Sequence, residues 1–225
     1  MGINLDMKSH LSQTFSIVAV DPTTGICGAA VASKFPAVGQ VVPYVRASVG
    51  AFCTQHQHNP IWGDKALDLL DCGLLPEEVL ASLLRDDPNS AKRQLALIDM
   101  KGQTATRNPI GADPSGLWWG SMSGKFYTCQ GNTLVGPSVI IAMANAYESS
   151  KELLPGRLMA ALVAGDQAGG DHRGRLAAAL RVASASVEVI ALDIDESNNM
   201  NDTGSNQKDI LFILGKAMSG APIII

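Results

Sequence analysis

Thr14 heads a β-rich run, Phe15–Val20, and a second such run, Ile26–Ala32, follows across Asp21-Pro22-Thr23-Thr24-Gly25. In that cluster proline fixes φ and glycine accepts a positive φ, so the two runs predict a β-hairpin whose first strand begins with a hydroxyl residue. A threonine in that position is a nucleophile when its own α-amine serves as the base, because such an amine titrates at about pH 7.7–8.0. The hydroxyl would attack an amide carbonyl and form an acyl-enzyme, which water then resolves. Thirteen residues precede Thr14. Its nitrogen is therefore a peptide nitrogen until the chain is cut, and an ordinary strand-start threonine is the alternative reading.

Ser33 and Lys34 close the second run. If the hairpin turns at Asp21–Gly25, they lie beside the strand of Thr14. Ser33 would orient the amine by a hydrogen bond, and the lysine cation would lower the amine pKa. A solvated lysine after a strand explains Lys34 as well. Gln55, Asn59 and Asn132 offer amide donors to a substrate carbonyl or carboxylate. A second hydrolytic route would use Ser16, Ser33, Thr54 or His56 without N-terminal activation, although no Ser-His-Asp order supports it.

His56 and His58 alternate at the end of a strand pattern, but no third ligand has matching spacing. They read as solvated loop histidines, and no metal is expected. The segment Ala168–Arg175, AGGDHRGR, is the most polar stretch of the later chain. Its adjacent glycines can turn N–H groups toward an anion, and Asp171 and Arg173 would anchor a substrate carboxylate through the guanidinium fork. A loop tied by an Asp171–arginine ion pair is the competing reading. The segment is neither a Walker A loop nor a dinucleotide fingerprint, so no cofactor is expected.

These residues must be placed by strands at Phe15–Val20, Ile26–Ala32, Gln40–Ala47 and Val49–Thr54, then by helices at Asp64–Cys72 and from Pro76 onward. Two hairpins follow: Arg93–Met100 with Gln103–Arg107, and Leu117–Ser121 with Lys125–Gln130 around a Ser123-Gly124 turn. Helices are expected at Ser138–Ser149 and Pro155–Ala164, strands at Leu176–Ala183 and Val187–Leu192, and a last helix at Asp209–Met218. This order describes an α+β chain.

The 225 residues carry 46% hydrophobic and 17% charged side chains, with net charge −4. Such a balance favours strands buried on both faces, and it gives a polyanion nothing to bind, so nucleic acid is not an expected partner. The four cysteines, at 27, 53, 72 and 129, form no CxxC pair. Buried free thiols in a reducing cytoplasm are expected. No apolar run reaches the length that spans a bilayer. The terminal Ile223-Ile224-Ile225 would favour burial at a contact, which suggests a homodimer.

Several segments, in order, resemble the DUF1028 family: TFSIVAVDPTTG, VASKFPAVG, VVPYV, Arg93-Gln94, Gln130-Gly131-Asn132 and AGGDHRGR. The resemblance implies an N-terminal-nucleophile (Ntn) hydrolase-like fold, a four-layer αββα sandwich of two stacked antiparallel sheets. It leaves the reaction open. By the same resemblance, Gly50-Ala51 matches the place where Ntn hydrolases supply an oxyanion-hole N–H. Family members commonly begin Met-Thr-Phe-Ser-Ile, where removal of one methionine exposes the threonine. This chain departs from that pattern through MGINLDMKSHLSQ. The organisation expected is an N-terminal extension over 1–13 and a single domain over 14–225. The functional expectation is an Ntn-type hydrolase of a small amide, with a non-catalytic ligand-binding or assembly protein as the alternative.

Overall fold

The computed structural model describes residues 14–111, 117–170, 176–185 and 187–195. β1 (Thr14–Asp21) and β2 (Ile26–Ser33) form the expected hairpin, in register from Asp21↔Ile26 back to Thr14↔Ser33. Its turn is held locally. Asp21 Oδ1 accepts bonds from the N–H and the hydroxyl of Thr23, and Gly25, at φ 71°, donates its N–H to the Asp21 carbonyl at 2.9 Å.

The remaining strands are β3 (Pro43–Arg46), β4 (Gly50–His56), β5 (Arg93–Asp99), β6 (Thr104–Arg107), β7 (Trp118–Gly124), β8 (Tyr127–Leu134), β9 (Ala177–Ser184) and β10 (Val187–Asp195). Among the described residues they make two antiparallel sheets, β10-β9-β2-β1-β8-β7 and β3-β4-β5-β6. The helices are α1 (Trp62–Asp71), α2 (Pro76–Leu84), α3 (Ser138–Ser149) and α4 (Leu154–Gln167). α2 starts where proline and acid residues predict it: Pro76 occupies the first turn and the Glu78 carboxylate accepts the Leu75 N–H at 2.8 Å.

Three stacked cores define the layers. Phe15, Ile17 and Ala19 of β1 pack with Tyr127 and Cys129 against α3 and α4. The opposite face of β1, Val18 and Val20, meets Ala51, Cys53, Ala96 and Ile98 of the second sheet. Phe52, Leu95 and Leu97 then face Leu67, Leu70, Val79 and Leu83 of α1 and α2. The result is an αββα sandwich, as expected. Period-two alternation sends odd positions of β1 to the helices and even positions between the sheets.

Two differences from expectation bear on the site. The strand predicted over Gln40–Ala47 shrinks to Pro43–Arg46, after a 3₁₀ turn at Val38–Gln40. The Gly39 carbonyl accepts a 2.9 Å bond from Arg181 Nη2, and a Cβ on Gly39 would lie 1.9 Å from Asp193 Oδ1. That close approach pins the segment to β9 and β10 before it can extend. The third hairpin turns at Lys125-Phe126 rather than Ser123-Gly124, because Gly124 pairs with Tyr127 beneath its ring. β8 also runs on to Leu134, which brings Asn132 into register with Thr14. The N-terminal extension, the last expected helix and Ile223–Ile225 lie outside the described residues.

Candidate active site

Thr14 is paired on both sides, with Ser33 of β2 and Asn132 of β8, so it sits in the middle of the six-stranded sheet. Its hydroxyl lies 2.9 Å from Ser33 Oγ, and either group can donate. Ser33 Oγ also accepts the Phe35 N–H at 2.9 Å. Lys34 follows, half-buried.

The second sheet reaches Thr14 through the C-terminal end of β4. Gln55 is 1% exposed, and its Nε2 points at the Thr14 carbonyl from 3.5 Å. A narrow cleft opens at this end of the sandwich. It is shallow, enclosing about 10 Å³, and about 200 Å³ only when the open space at its mouth is counted; Thr14, Phe35, Val38, Val42, Gln55, His56 and His58 line it.

Behind Gln55 lies a buried set of uncharged polar side chains. Ser16 donates to Gln55 Oε1 at 2.6 Å, and Gln130 Nε2 donates to Ser16 Oγ. Gln55 Nε2 and Asn132 Nδ2 both donate to Gln94 Oε1, at 2.7 and 2.9 Å. Gln94 Nε2 donates in turn to the Gly131 carbonyl at 2.8 Å and to Asn108 Oδ1 at 2.9 Å. The fold aligns these groups directly, since Gln55 pairs with Gln94, Ser16 with Gln130, and Thr14 with Asn132.

The histidines are not free loop residues. His56 ends β4 at φ 64°, a left-handed conformation uncommon for a non-glycine residue, and its ring lies 5.8 Å from that of Trp119. His58 stacks edge-on against Phe35 at 5.6 Å. Burial holds the His58 pKa below its ordinary value, and the nearby Arg93 cation adds to the effect. Arg93 anchors the turn between the two: its Nη1 donates to the carbonyls of Gln57 and His58, while Nε and Nη2 grip Asp87 at 2.8 and 3.0 Å. Its guanidinium lies 4.8 Å over the Trp62 ring. Among the described residues, no cluster of three or more His, Cys, Asp or Glu is placed to hold a metal.

The structure thus gathers Thr14, Ser33, Gln55 and Asn132 at one end, with Lys34 adjacent to Ser33. It does not bring Gly50 and Ala51 there, which corrects the expected oxyanion position. Gly50 begins β4, five residues or about 16 Å from Gln55. It pairs with Arg46 and Asp99 at the opposite end of the sandwich, where Cys27, the partner of Val20, donates to the Arg46 carbonyl. Ala51 is buried between the sheets. Gly50 has a structural cause: at φ 149°, a Cβ would stand 2.1 Å from the Ile98 carbonyl oxygen. Asn59 shapes the loop, its backbone N–H on Thr54 Oγ1 and its Oδ1 on the Ile61 N–H. Asp171 and Arg173 lie outside the described residues.

Sequence reading missed Gln94 and Gln130 as members of the site, and it took His56 and His58 as solvated, whereas both are half-buried beside aromatic rings. A signal for the former was present. Glutamines at positions whose neighbours alternate into apolar cores, as in Arg93-Gln94-Leu95, mark polar side chains that the strand period forces inward.

A four-layer αββα sandwich with a strand-initial threonine at a cleft between its two sheets is the class of protein these observations define. The chain belongs to DUF1028, a family of unknown function, whose model matches residues 14–202. The crystal structure of protein SPO2555 from Silicibacter pomeroyi, also of DUF1028, is similar at a TM-score of 0.80 with 30% identity, covering 92% of this chain and 85% of that one. Anbu (ancestral beta-subunit) from Yersinia bercovieri is similar only at a TM-score of 0.38 and 10% identity, over 92% of this chain and 93% of that one, and so distant a likeness carries no argument. No curated protein matches the chain. Among the described residues, no helix is long and apolar enough to cross a membrane.

Proposed function

We propose that this protein is an Ntn-type hydrolase of a small amide or related C–N bond, with Thr14 as nucleophile once Met1–Gln13 have been removed. One observation carries the reading: the Thr14 hydroxyl is fixed 2.9 Å from Ser33 Oγ, at the head of a central strand and in the wall of a cleft. The freed α-amine takes the Oγ1 proton as Oγ1 attacks the substrate carbonyl. Collapse of the tetrahedral adduct passes that proton to the leaving amine and leaves an ester on Thr14. Water, deprotonated by the same amine, cleaves the ester to a carboxylic acid and restores the hydroxyl. Lys34 favours the neutral amine by like-charge repulsion. Gln55 and Asn132 are the nearest amides, and Gln55 offers the donor for the carbonyl oxygen. Anchoring of a substrate carboxylate by Asp171 and Arg173 belongs to the same proposal, as does a cytoplasmic location.

The competing reading, a non-catalytic ligand-binding or assembly protein, has one observation in its favour. With Gln13 attached, the Thr14 nitrogen is an amide and has no basicity to lend.

Intact-mass analysis of the native protein and an amide panel separate the two. The chain beginning at Thr14 hydrolyses a panel member that the full chain does not. Thr14→Ala abolishes this without unfolding, Thr14→Ser keeps part of it, and Arg173→Ala weakens only carboxylate-bearing members. A native mass that retains residues 1–13, together with no turnover by the trimmed chain, establishes the binding-protein reading instead.

A further inference from the structure

The amide set behind Thr14 has a direction, and that direction can be read without ambiguity. A backbone carbonyl only accepts, so Gln94 must present Nε2 to the Gly131 oxygen, 2.8 Å away. Gln94 Oε1 is then the atom facing Gln55 and Asn132, and both must donate to it. Gln55 Oε1 is left to accept from Ser16 Oγ, which in turn accepts from Gln130 Nε2. One continuous run of bonds leads from the side chain of Gln130 through Ser16, Gln55 and Gln94 to the carbonyl of Gly131, with Asn132 joining at Gln94 Oε1 and Asn108 branching off at Gln94 Nε2. Aligned bonds among buried groups polarise one another.

Gln94 is 0% exposed, and all its capacity is used: two donors reach Oε1, and Nε2 serves Gly131 and Asn108. Gln55 is different. One Nε2 hydrogen is committed to Gln94. The other faces Thr14 O at 3.5 Å, the outer limit of a hydrogen bond, in a residue that lines the cleft.

We infer that Gln94 is a positioning residue: it locks the Gln55 carboxamide so that the second Nε2–H is presented beside Thr14 as a donor for a neutral carbonyl oxygen of the ligand. The site thus selects a hydrogen-bond acceptor at this point and rejects an ammonium or other donor group, because the opposite rotamer of Gln55 would set two N–H groups against Ser16 and two oxygens against each other at Gln94. The inference rests on the reading that an acyl group sits at Thr14, but its test needs no turnover.

The test uses the full-length, ¹⁵N-labelled chain, with the Gln55 side-chain amide assigned through its loss in Gln55→Glu. N-methylacetamide is the carbonyl probe and methylammonium the control. One Gln55 proton exchanges slowly with solvent, the other shows a cross-relaxation peak to Thr14, and only N-methylacetamide shifts the second. In Gln94→Met the protection falls about five- to tenfold, the factor one ordinary hydrogen bond supplies, and the probe response is lost. Gln94→Glu, buried and protonated so that its hydroxyl still donates to the Gly131 carbonyl, keeps the acceptor for Gln55 and retains both signatures. Wild-type Gln55 protons exchanging at the free carboxamide rate, or a folded Gln94→Met with unchanged protection and probe response, overturn the inference. Should Gln94→Met not fold, the wild-type exchange rates and Gln94→Glu decide, and loss of protection in the latter counts against it. A trimmed chain without amidase activity would sink the Thr14 proposal alone and leave these signals in place.

Discussion

Replacing Arg93 with methionine separates a structural clamp from the groups it holds in place. The Arg93 and Asp87 side chains are 8% and 9% exposed and joined by two bonds of 2.8 and 3.0 Å. Arg93→Met leaves that carboxylate without its counter-charge and frees the Gln57 and His58 carbonyls. Removing one partner of a buried pair costs about 3–5 kcal/mol. For a chain of this length each kcal/mol moves Tm by about 2–4 °C, so the expected drop is about 6–20 °C. Thermal unfolding at neutral pH measures that drop, and urea denaturation the free energy. The Arg93 guanidinium, through its hydrogen bonds, holds the Asp87 carboxyl below its ordinary value. A depressed folded pKa adds stability that is complete above the unfolded value and lost as pH falls through the folded one. The gap between wild type and Arg93→Met therefore narrows below about pH 4. The double variant Asp87→Leu/Arg93→Met recovers much of the loss, because no orphan charge remains. A single-variant loss under about 1 kcal/mol, the range of an exposed pair, would refute the reasoning. A double variant no better than the single would place the cost in the two carbonyls instead.

Gly50→Ala is expected to destabilise the fold by about 2–5 kcal/mol, from the 2.1 Å approach to the Ile98 carbonyl and the strain at φ 149°. The folded fraction keeps any Thr14-dependent activity, and a selective loss of turnover without loss of stability would restore Gly50 to the site. With a thiol reagent at pH 8, Cys72 reacts at once, whereas Cys27, Cys53 and Cys129 wait for denaturant. Burial raises the Cys27 and Cys53 pKa values to about 11 and about 12, which slows them by roughly two orders of magnitude or more. Two fast thiols per native chain would contradict the buried assignment.

The hairpin that carries Thr14 was legible because its signals are local: Asp21, Pro22 and Gly25 state the turn, and the register to Ser33 follows by counting. The α3 range, Ser138–Ser149, agrees to the residue for the same reason, as an apolar helix stripe depends on its own spacing. Gly50 misled because a glycine at positive φ looks alike whether it makes room for a ligand or for a neighbouring strand, and only the Ile98 carbonyl distinguishes the two. Gln94 belongs to a family pattern, but its role depends on bonds to residues 55, 131 and 132, and no window of sequence contains all three. His56 and His58 read as solvated because the side chains that cover them, Trp119 and Phe35, arrive from other strands and loops.

The alternation of β1 has one more consequence, and it bears on where the chain must be cut. Thr14 shares its parity with Ser16, Val18 and Val20, while Phe15, Ile17 and Ala19 are sealed under α3 and α4. The apolar odd positions therefore fix the address of the hydroxyl, although none of them touches it. Cleavage one bond late would free the nitrogen of Phe15, whose ring belongs to the opposite core, and would discard the Thr14 hydroxyl. Cleavage one bond early would leave Gln13 acylating Thr14, with the nucleophile in place but without its base. An insertion anywhere between Thr14 and Val18 would rotate the threonine toward the helices unless a bulge absorbed it. A strand buried on both faces from Thr14 to Val20 leaves no room for an error of a single residue in its start.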